Sequence, residues 1–236
     1  MAGTLWLLPV SLGDTPWENS LPPASRDTAC RLSRFVVENA KTARAELKRF
    51  GHPVALRELS IEQLPGQPTP VEIEHLLAPL LAGHDLGLMS EAGCPAVADP
   101  GALLVRRAHE LGLTVKPMVG PSSLLLALMA SGLDGQRFAF HGYLPSRDPE
   151  RSRRLSELEN ESSRLGQTQL FIETPYRNQA LFNALLQVCR PATRLCLASD
   201  LTLISEQVAT RRIADWKVAP APVLDKRPTV FLLLAE

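Results

Sequence analysis

The sequence predicts an α/β protein of two domains, and three observations carry that expectation. Short apolar runs alternate with helical patterns through the first half of the 236-residue chain. That βαβ rhythm belongs to a parallel sheet with helices on both faces. A Gly-Pro-Ser-Ser turn at residues 120–123 then interrupts the chain near its midpoint. Near the end, two strand-like runs arrive without a long helix ahead of either, which points to an antiparallel, hairpin-like end. The domains are therefore placed at residues 1–119, with a parallel sheet, and 120–236, with a mixed sheet.

Taken in order, residues 5–8 form the first strand and residues 27–35 read as helical. A brief β-branched strand at 35–37 leads into a helix over 40–50. Gly51 stops it, because glycine tolerates the left-handed turn that follows a helix. Residues 54–59 read as extended, and a loop at 65–70 feeds a helix over 71–82 closed by Gly83. Strand 86–89, helix 102–111 and strand 114–119 complete the first half. The second half runs through helix 124–130, an aromatic strand at 138–144, a polar helix at 150–164 and a strand at 169–173. Helix 178–189 and strand 194–199 follow, and runs 205–213 and 229–235 close the chain around a Pro-rich loop at 219–222.

The most informative stretch is residues 90–101, Ser-Glu-Ala-Gly-Cys-Pro-Ala-Val-Ala-Asp-Pro-Gly, between a predicted strand and a predicted helix. Ligands of open parallel sheets sit at the carboxyl ends of the strands, where such loops gather. Gly93 permits a close backbone approach or a positive φ, and Pro95 and Pro100 stiffen the turn. The same residues suit an ordinary helix start, with Asp99 as N-cap and Pro100 at the first helical position. Taken alone, the stretch leaves both readings open.

Bulk properties exclude several classes. Twenty-five Lys and Arg balance 25 Asp and Glu, so no global field draws the chain to nucleic acid or anionic lipid. Locally, Arg26, Arg31, Arg34, Lys41, Arg44, Lys48 and Arg49 outnumber Asp27, Glu38 and Glu46. Such an excess either tracks a phosphate backbone or forms a solvated helix face. Arg151, Arg153 and Arg154 make a second, smaller cluster. Cys30, Cys94, Cys189 and Cys196 are scattered, so free thiols in a reducing compartment and no metal site are expected. The amino terminus lacks a signal-peptide pattern, and no apolar run approaches the roughly 20 residues that span a bilayer. A cytoplasmic protein with no membrane partner is the expectation. Dinucleotide, Walker-type, nucleophile-elbow and zinc-protease motifs are all missing from the sequence.

Several separated pieces match one family. Leu7-Leu8-Pro9-Val10-Ser11-Leu12-Gly13-Asp14 resembles the Val-Pro-Thr-Pro-Ile-Gly-Asn start of the tetrapyrrole methylase superfamily. Residues 90–101 are similar to Ser-Asp-Ala-Gly-x-Pro-x-Ile-Ser-Asp-Pro-Gly of the branch that methylates a ribose 2′-hydroxyl of small-subunit ribosomal RNA. Residues 119–123 resemble its Pro-Gly-Pro-Ser turn, and 130–133 its Ala-Ser-Gly-Leu. Residues 142–145 look like Gly-Phe-Leu-Pro, 171–177 like Phe-Tyr-Glu-Ser-Pro-His-Arg, and 198–202 like Ala-Arg-Glu-Leu-Thr. The matches run in order through nearly the whole chain.

The resemblance implies two α/β domains of the tetrapyrrole methylase type, a homodimer, and S-adenosylmethionine in a cleft between the domains. It places the cofactor against Pro9, Gly93, Cys94, Pro95, Val97, Ser122 and Ser123 of this sequence, and against Thr174, Ala198 and Thr229. Each of these also has a plain structural role open to it, as cap, turn or strand residue. Methyl transfer to a hydroxyl needs alignment above all, and a weak ribose nucleophile benefits from a nearby base. Glu38, Glu91 and Glu173 are candidates for that base, with Lys41 or Arg177 orienting phosphate. Glu38 and Arg177 are chosen as catalytic, the alternative for Arg177 being a charge paired to Glu173.

Two departures bear on the acceptor. The branch usually carries Ala-Glu-Asp-Thr-Arg where this chain has Val37-Glu38-Asn39-Ala40-Lys41, and a lysine does not reproduce a bidentate arginine fork. The sequence also ends just after the 229–235 run, short of the tail that many members carry. The leading expectation is a methyltransferase acting on ribosomal RNA or the small ribosomal subunit. A small-molecule acceptor such as a tetrapyrrole, or a cofactor-binding protein without catalysis, are the alternatives. The cofactor reading predicts that Gly93→Val loses cofactor binding with little change in thermal unfolding.

Overall fold

Alternating side chains decide the architecture of the first unit. β1 (Thr4–Leu7), β2 (Arg34–Val37), β3 (Ser60–Gln63), β4 (Leu86–Met89) and β5 (Thr114–Pro117) are all parallel, in the order β3-β2-β4-β1-β5. Successive residues of a strand face opposite sides of its sheet. Leu5, Val36, Leu86 and Leu88 thus pack on one side with α3 (Pro70–Leu81) and α4 (Gly101–Glu110), through Leu77, Leu80, Leu104 and Ala108. Phe35, Val37 and Met89 pack on the other, with α1 (Pro23–Arg31) and α2 (Ala40–Arg49), through Ala29, Ala43 and Leu47. The computed structural model describes residues 1–235, in two units that divide between Ser122 and Ser123.

Helix ends follow local chemistry. The Asn39 side chain accepts from the backbone N–H groups of Lys41 and Thr42, capping α2, and Gly51 takes φ +68° just beyond it. Thr69 and Glu72 form a capping box at α3, in which the Glu72 carboxylate accepts from Thr69 N at 2.7 Å.

The second unit has a mixed sheet. It opens with α5 (Ser123–Ser131), and its strands are β6 (Phe138–Tyr143), β7 (Thr168–Ile172), β8 (Arg194–Ser199), β9 (Gln207–Arg212) and β10 (Thr229–Leu234). Their order is β6-β7-β10-β8-β9, with only β6 and β7 parallel. The closing strands are antiparallel as expected, but they do not form a hairpin: β8 lies between β9 and β10, because the last strand inserts between β7 and β8. Its core joins α6 (Glu150–Leu165), α7 (Asn178–Val188) and α8 (Ile213–Val218) to one face of the sheet. Phe171 and Phe231 are register partners whose rings stack with centroids 5.9 Å apart. The Trp216 indole is buried there and donates to the Leu195 carbonyl at 2.9 Å. α5 packs on β8, β9 and β10, and the Thr210 hydroxyl donates to the Ser131 carbonyl at 2.6 Å.

Three element boundaries differ from expectation. The helix expected at 27–35 runs earlier, over Pro23–Arg31, because Pro23 suits its first turn and Leu32 is already extended (ψ 148°). Residues 54–59 are a turn closed by Glu58 N donating to Ala55 O at 2.8 Å, so the strand begins only at Ser60. The run expected at 205–213 is strand over Gln207–Arg212, after which Ile213 opens the short α8. No helix among the described residues is long and apolar enough to cross a membrane.

Candidate functional site

The carboxyl edge of the first sheet gathers the predicted loops. Beyond β1, Val10 N donates to Gly93 O at 3.0 Å and Gly93 N donates to Val10 O at 3.2 Å. This reciprocal bridge locks the residue after Pro9 to the loop after β4. The loop after β5 joins them: a methyl on Gly120 would stand 2.2 Å from Pro9 Cβ, so only glycine allows that approach. The Cys94 thiol donates to Pro121 O at 3.3 Å, and burial pushes its pKa up. Pro9, Gly93, Cys94, Pro95 and the 120–122 turn therefore share one edge, with Val97 exposed on the same loop. Ser122 ends the first unit, and Ser123 begins α5.

The 90–101 loop is held in an unusual backbone form. Gly93 has φ +71°, and Ala96 and Ala98, which are not glycines, have φ +65° and +62°. Left-handed alanines cost on the order of 1–3 kcal/mol each and persist where the surroundings enforce them, often at ligand sites. Asp99 supplies the enforcement. Its carboxylate accepts from Ala96 N at 2.9 Å and Gly101 N at 2.8 Å. Asp99 thus clamps its own loop, while the N-cap position itself falls to Pro100 and has no side-chain cap. Burial raises the Asp99 pKa above the ordinary carboxylate range, opposed by the Gly101 N–H; the nearby Glu38 charge also raises it.

Glu38 leaves β2 at the same edge, and its Oε2 accepts from Glu91 N at 3.0 Å. Lys41 is exposed on the first turn of α2. Sequence reasoning missed Glu46, which is buried behind this edge. Glu46 Oε1 accepts from Ser11 N at 2.9 Å and from Ser11 Oγ at 2.8 Å, and Glu46 Oε2 pairs with Arg49 at 2.5 Å. Arg49 in turn reaches Asp14 at 2.7 Å. A cavity of ≈ 160 Å³ opens beside this network, lined by Gly13, Thr42, Glu46, Arg49, Ser90 and Glu91. One signal was available: Glu46 lies three residues from Ala43 and Arg49 and beside Leu47, on the apolar stripe of its helix.

In the second unit, Thr174, Ala198 and Thr229 also meet at one sheet edge. β10 is antiparallel to β7 and β8, so its first residue lies beside their last ones. Val230 pairs with both Ile172 and Ala198, and Thr229 with Ser199. The Thr229 and Ser199 hydroxyls are 2.9 Å apart. Arg177 Nη2 donates to Glu173 Oε1 at 2.7 Å, and its Nε donates to Thr174 Oγ1 at 3.0 Å. The guanidinium is thus engaged by the turn that carries Thr174, as the paired-charge alternative expects. Glu38 and Arg177 belong to different units.

The structure corrects one expectation at this site. At φ +71° any side chain on Gly93 is strained, and its Cβ would stand 3.1 Å from Leu12 and 3.2 Å from Pro121 O. Gly93→Val therefore costs stability, against the expectation of little change in thermal unfolding.

Comparison with known proteins bears on this geometry. The chain is 29% identical to "Ribosomal RNA small subunit methyltransferase I" of Xylella fastidiosa over 234 residues, covering 99% of this chain and 81% of the relative. The protein of the same name from Pseudomonas aeruginosa is 30% identical over 223 residues, covering 91% of this chain and 73% of the relative. This chain belongs to that family. The likeness holds through both units, as the resemblance in the separated motifs implied. Among solved structures, the methyltransferase CobJ superposes with TM-score 0.65 at 16% identity, covering 99% of this chain and 95% of that one. The fold is accordingly the two-unit α/β fold of the tetrapyrrole methylases. No protein-family model matches the chain.

Proposed function

We propose that this protein is an S-adenosylmethionine-dependent methyltransferase that methylates a ribose 2′-hydroxyl of small-subunit ribosomal RNA. The family membership carries the reading. The geometry supports it through the 90–101 loop, which the Val10–Gly93 bridge and the Asp99 carboxylate hold in a fixed left-handed form at the carboxyl edge of a parallel sheet. Those residues fit the cofactor: Cys94 and Ala96 are small, Pro9 and Pro95 stiffen the walls, and Gly93 lets the loop pack closely on Leu12 and Pro121. The proposed cofactor set is Pro9, Gly93, Cys94, Pro95, Val97, Ser122 and Ser123, with Thr174, Ala198 and Thr229 of the second unit.

When bound, the cofactor supplies an electrophilic methyl group. The chain's own residues position the acceptor and handle its proton. Glu91 N occupies Glu38 Oε2, which leaves Oε1 to accept the hydroxyl proton as the ribose oxygen is alkylated. Arg177 acts through its bonds to Glu173 and Thr174, fixing that turn. The balance of 25 basic and 25 acidic residues assigns RNA attraction to local clusters. A homodimer in the cytoplasm completes the proposal. A tetrapyrrole acceptor is the second reading, weakened because the relatives above are named for ribosomal RNA.

Two measurements test the proposal. Calorimetry with S-adenosylmethionine is expected to show one saturable site per chain, weakened at least tenfold in Gly93→Ala. Glu38→Gln is expected to bind the cofactor normally and lose most methyl transfer. Absence of cofactor binding by the wild-type protein would refute the assignment.

A further inference from the structure

The structure sorts the seven basic residues between positions 26 and 49 into distinct groups. Arg26 pairs with Asp27 and donates to Phe50 O, and Arg49 pairs with Glu46 and Asp14. Lys41, Arg44 and Lys48 lie exposed along α2. Arg31 and Arg34 come together elsewhere. They line a surface cavity of ≈ 490 Å³ with Trp6, Thr28, His84 and Asp85. This cavity lies at the amino ends of β1, β2 and β4, the edge of the first sheet opposite the proposed cofactor loops.

The basic groups of this cavity outnumber its acidic ones. Among the described residues, Asp85 is the one carboxylate lining it, and that group accepts from Thr4 N at 2.8 Å and Trp6 Nε1 at 3.2 Å, so it also holds the sheet edge. Arg31 donates only to the Thr28 hydroxyl, at 3.1 Å. Among the described residues, the half-buried Arg34 guanidinium and the His84 ring make no hydrogen bond or ion pair. Lys116 adds a further cation, 5.0 Å above the Trp6 ring. Two arginine forks beside a hydroxyl, with a third and fourth basic group close by, are the donor set for phosphate.

We propose that this cavity binds backbone phosphates of the RNA substrate, with Arg31 and Arg34 as the contact residues. The proposal rests on the RNA-methyltransferase reading above and adds to it a docking site away from the reacting edge. RNA is the ligand class because the chain has no net charge, so phosphate affinity has to come from local excesses of this kind. An open cavity served by side chains from α1, β2 and the β4 entry suits a strand running across it.

The test is fluorescence anisotropy of the full chain with a labelled single-stranded RNA of mixed sequence and with small ribosomal subunits, across a salt series. Arg31→Gln with Arg34→Gln is expected to weaken RNA binding about tenfold. Loss of two single-strand phosphate contacts lowers the slope of log K against log salt by about 1.4. Affinity for S-adenosylmethionine stays within about twofold of wild type, and so does the control pair Arg57→Gln with Arg106→Gln in RNA binding. Unchanged RNA affinity and slope in the Arg31/Arg34 variant overturn the proposal. Calorimetry with inorganic pyrophosphate is the second arm, and a variant that loses pyrophosphate binding while keeping RNA affinity also overturns it, assigning the cavity to a small phosphate ligand. Label transfer judges the proposed function and anisotropy judges this cavity, so the two failures are read separately.

Discussion

Replacing Glu46 with alanine removes one acceptor that serves two buried donors. Ser11 N and Ser11 Oγ both donate to Glu46 Oε1, at 2.9 and 2.8 Å, with Ser11 5% and Glu46 6% exposed. A buried backbone N–H left without a partner costs about 1–3 kcal/mol, and the hydroxyl, free to rotate, costs less. Arg49 also loses Glu46 but keeps Asp14. The expected destabilisation of Glu46→Ala is therefore about 2–4 kcal/mol. Glu46→Gln keeps an oxygen acceptor for Ser11 and loses only the ion pair with Arg49, so about 1 kcal/mol is expected. Urea unfolding followed by circular dichroism measures both. Ser11 follows Val10, which is bridged to Gly93, so cofactor affinity should fall in the same order. A Glu46→Ala protein within 0.5 kcal/mol of wild type, on the roughly ±0.5 kcal/mol scale of ordinary surface changes, would refute the reasoning. Equal damage from both substitutions would refute it too.

Gly93→Ala places a side chain at φ +71° and is expected to cost about 1–2 kcal/mol in urea unfolding; a neutral result would contradict the backbone argument. For Asp99, burial raises the folded-state pKa. A raised pKa means the folded protein binds the proton more tightly, so this group's contribution is present below the unfolded pKa and lost as pH rises through the folded one. The stability of wild type relative to Asp99→Asn is therefore expected to improve as pH falls from neutral through the carboxylate range. Paired urea midpoints across that range check the sign. Burial pushes the Cys189 pKa up to about 12, so Cys189 should resist iodoacetamide at pH 8 in the folded protein, by mass spectrometry. Cys94, half-buried at the proposed cofactor edge, should react faster than Cys189, and S-adenosylmethionine should slow it.

The parts legible in the sequence are those set by neighbours along the chain. The 86–89 strand has an apolar run and a Gly/Pro loop directly behind it, and the structure reproduces its bounds. Gly51 and Gly83 mark helix ends because both take positive φ, a local need. What failed depends on distance. Val54 and Leu56 look like strand residues, yet a turn and the His52 ring, bonded to Val54, organise them. Glu46 reads as a solvated helix charge until Ser11, 35 residues away, is brought to it. The place of β10 between β7 and β8 likewise follows from Phe231 meeting Phe171, a pairing across 60 positions that no local pattern encodes. In the 90–101 loop, the glycine and prolines signalled a built turn, whereas the left-handed alanines and the Asp99 clamp became visible only in three dimensions.

The most direct test of the account is methyl transfer itself. Purified protein is incubated with methyl-labelled S-adenosylmethionine and small ribosomal subunits from cells that lack the modification, and the RNA is digested to nucleosides for mass spectrometry. The account predicts one labelled 2′-O-methyl nucleoside, formed by wild type and nearly lost in Glu38→Gln. Label on a base, label on a small molecule instead of RNA, or bound cofactor with no transfer would contradict it.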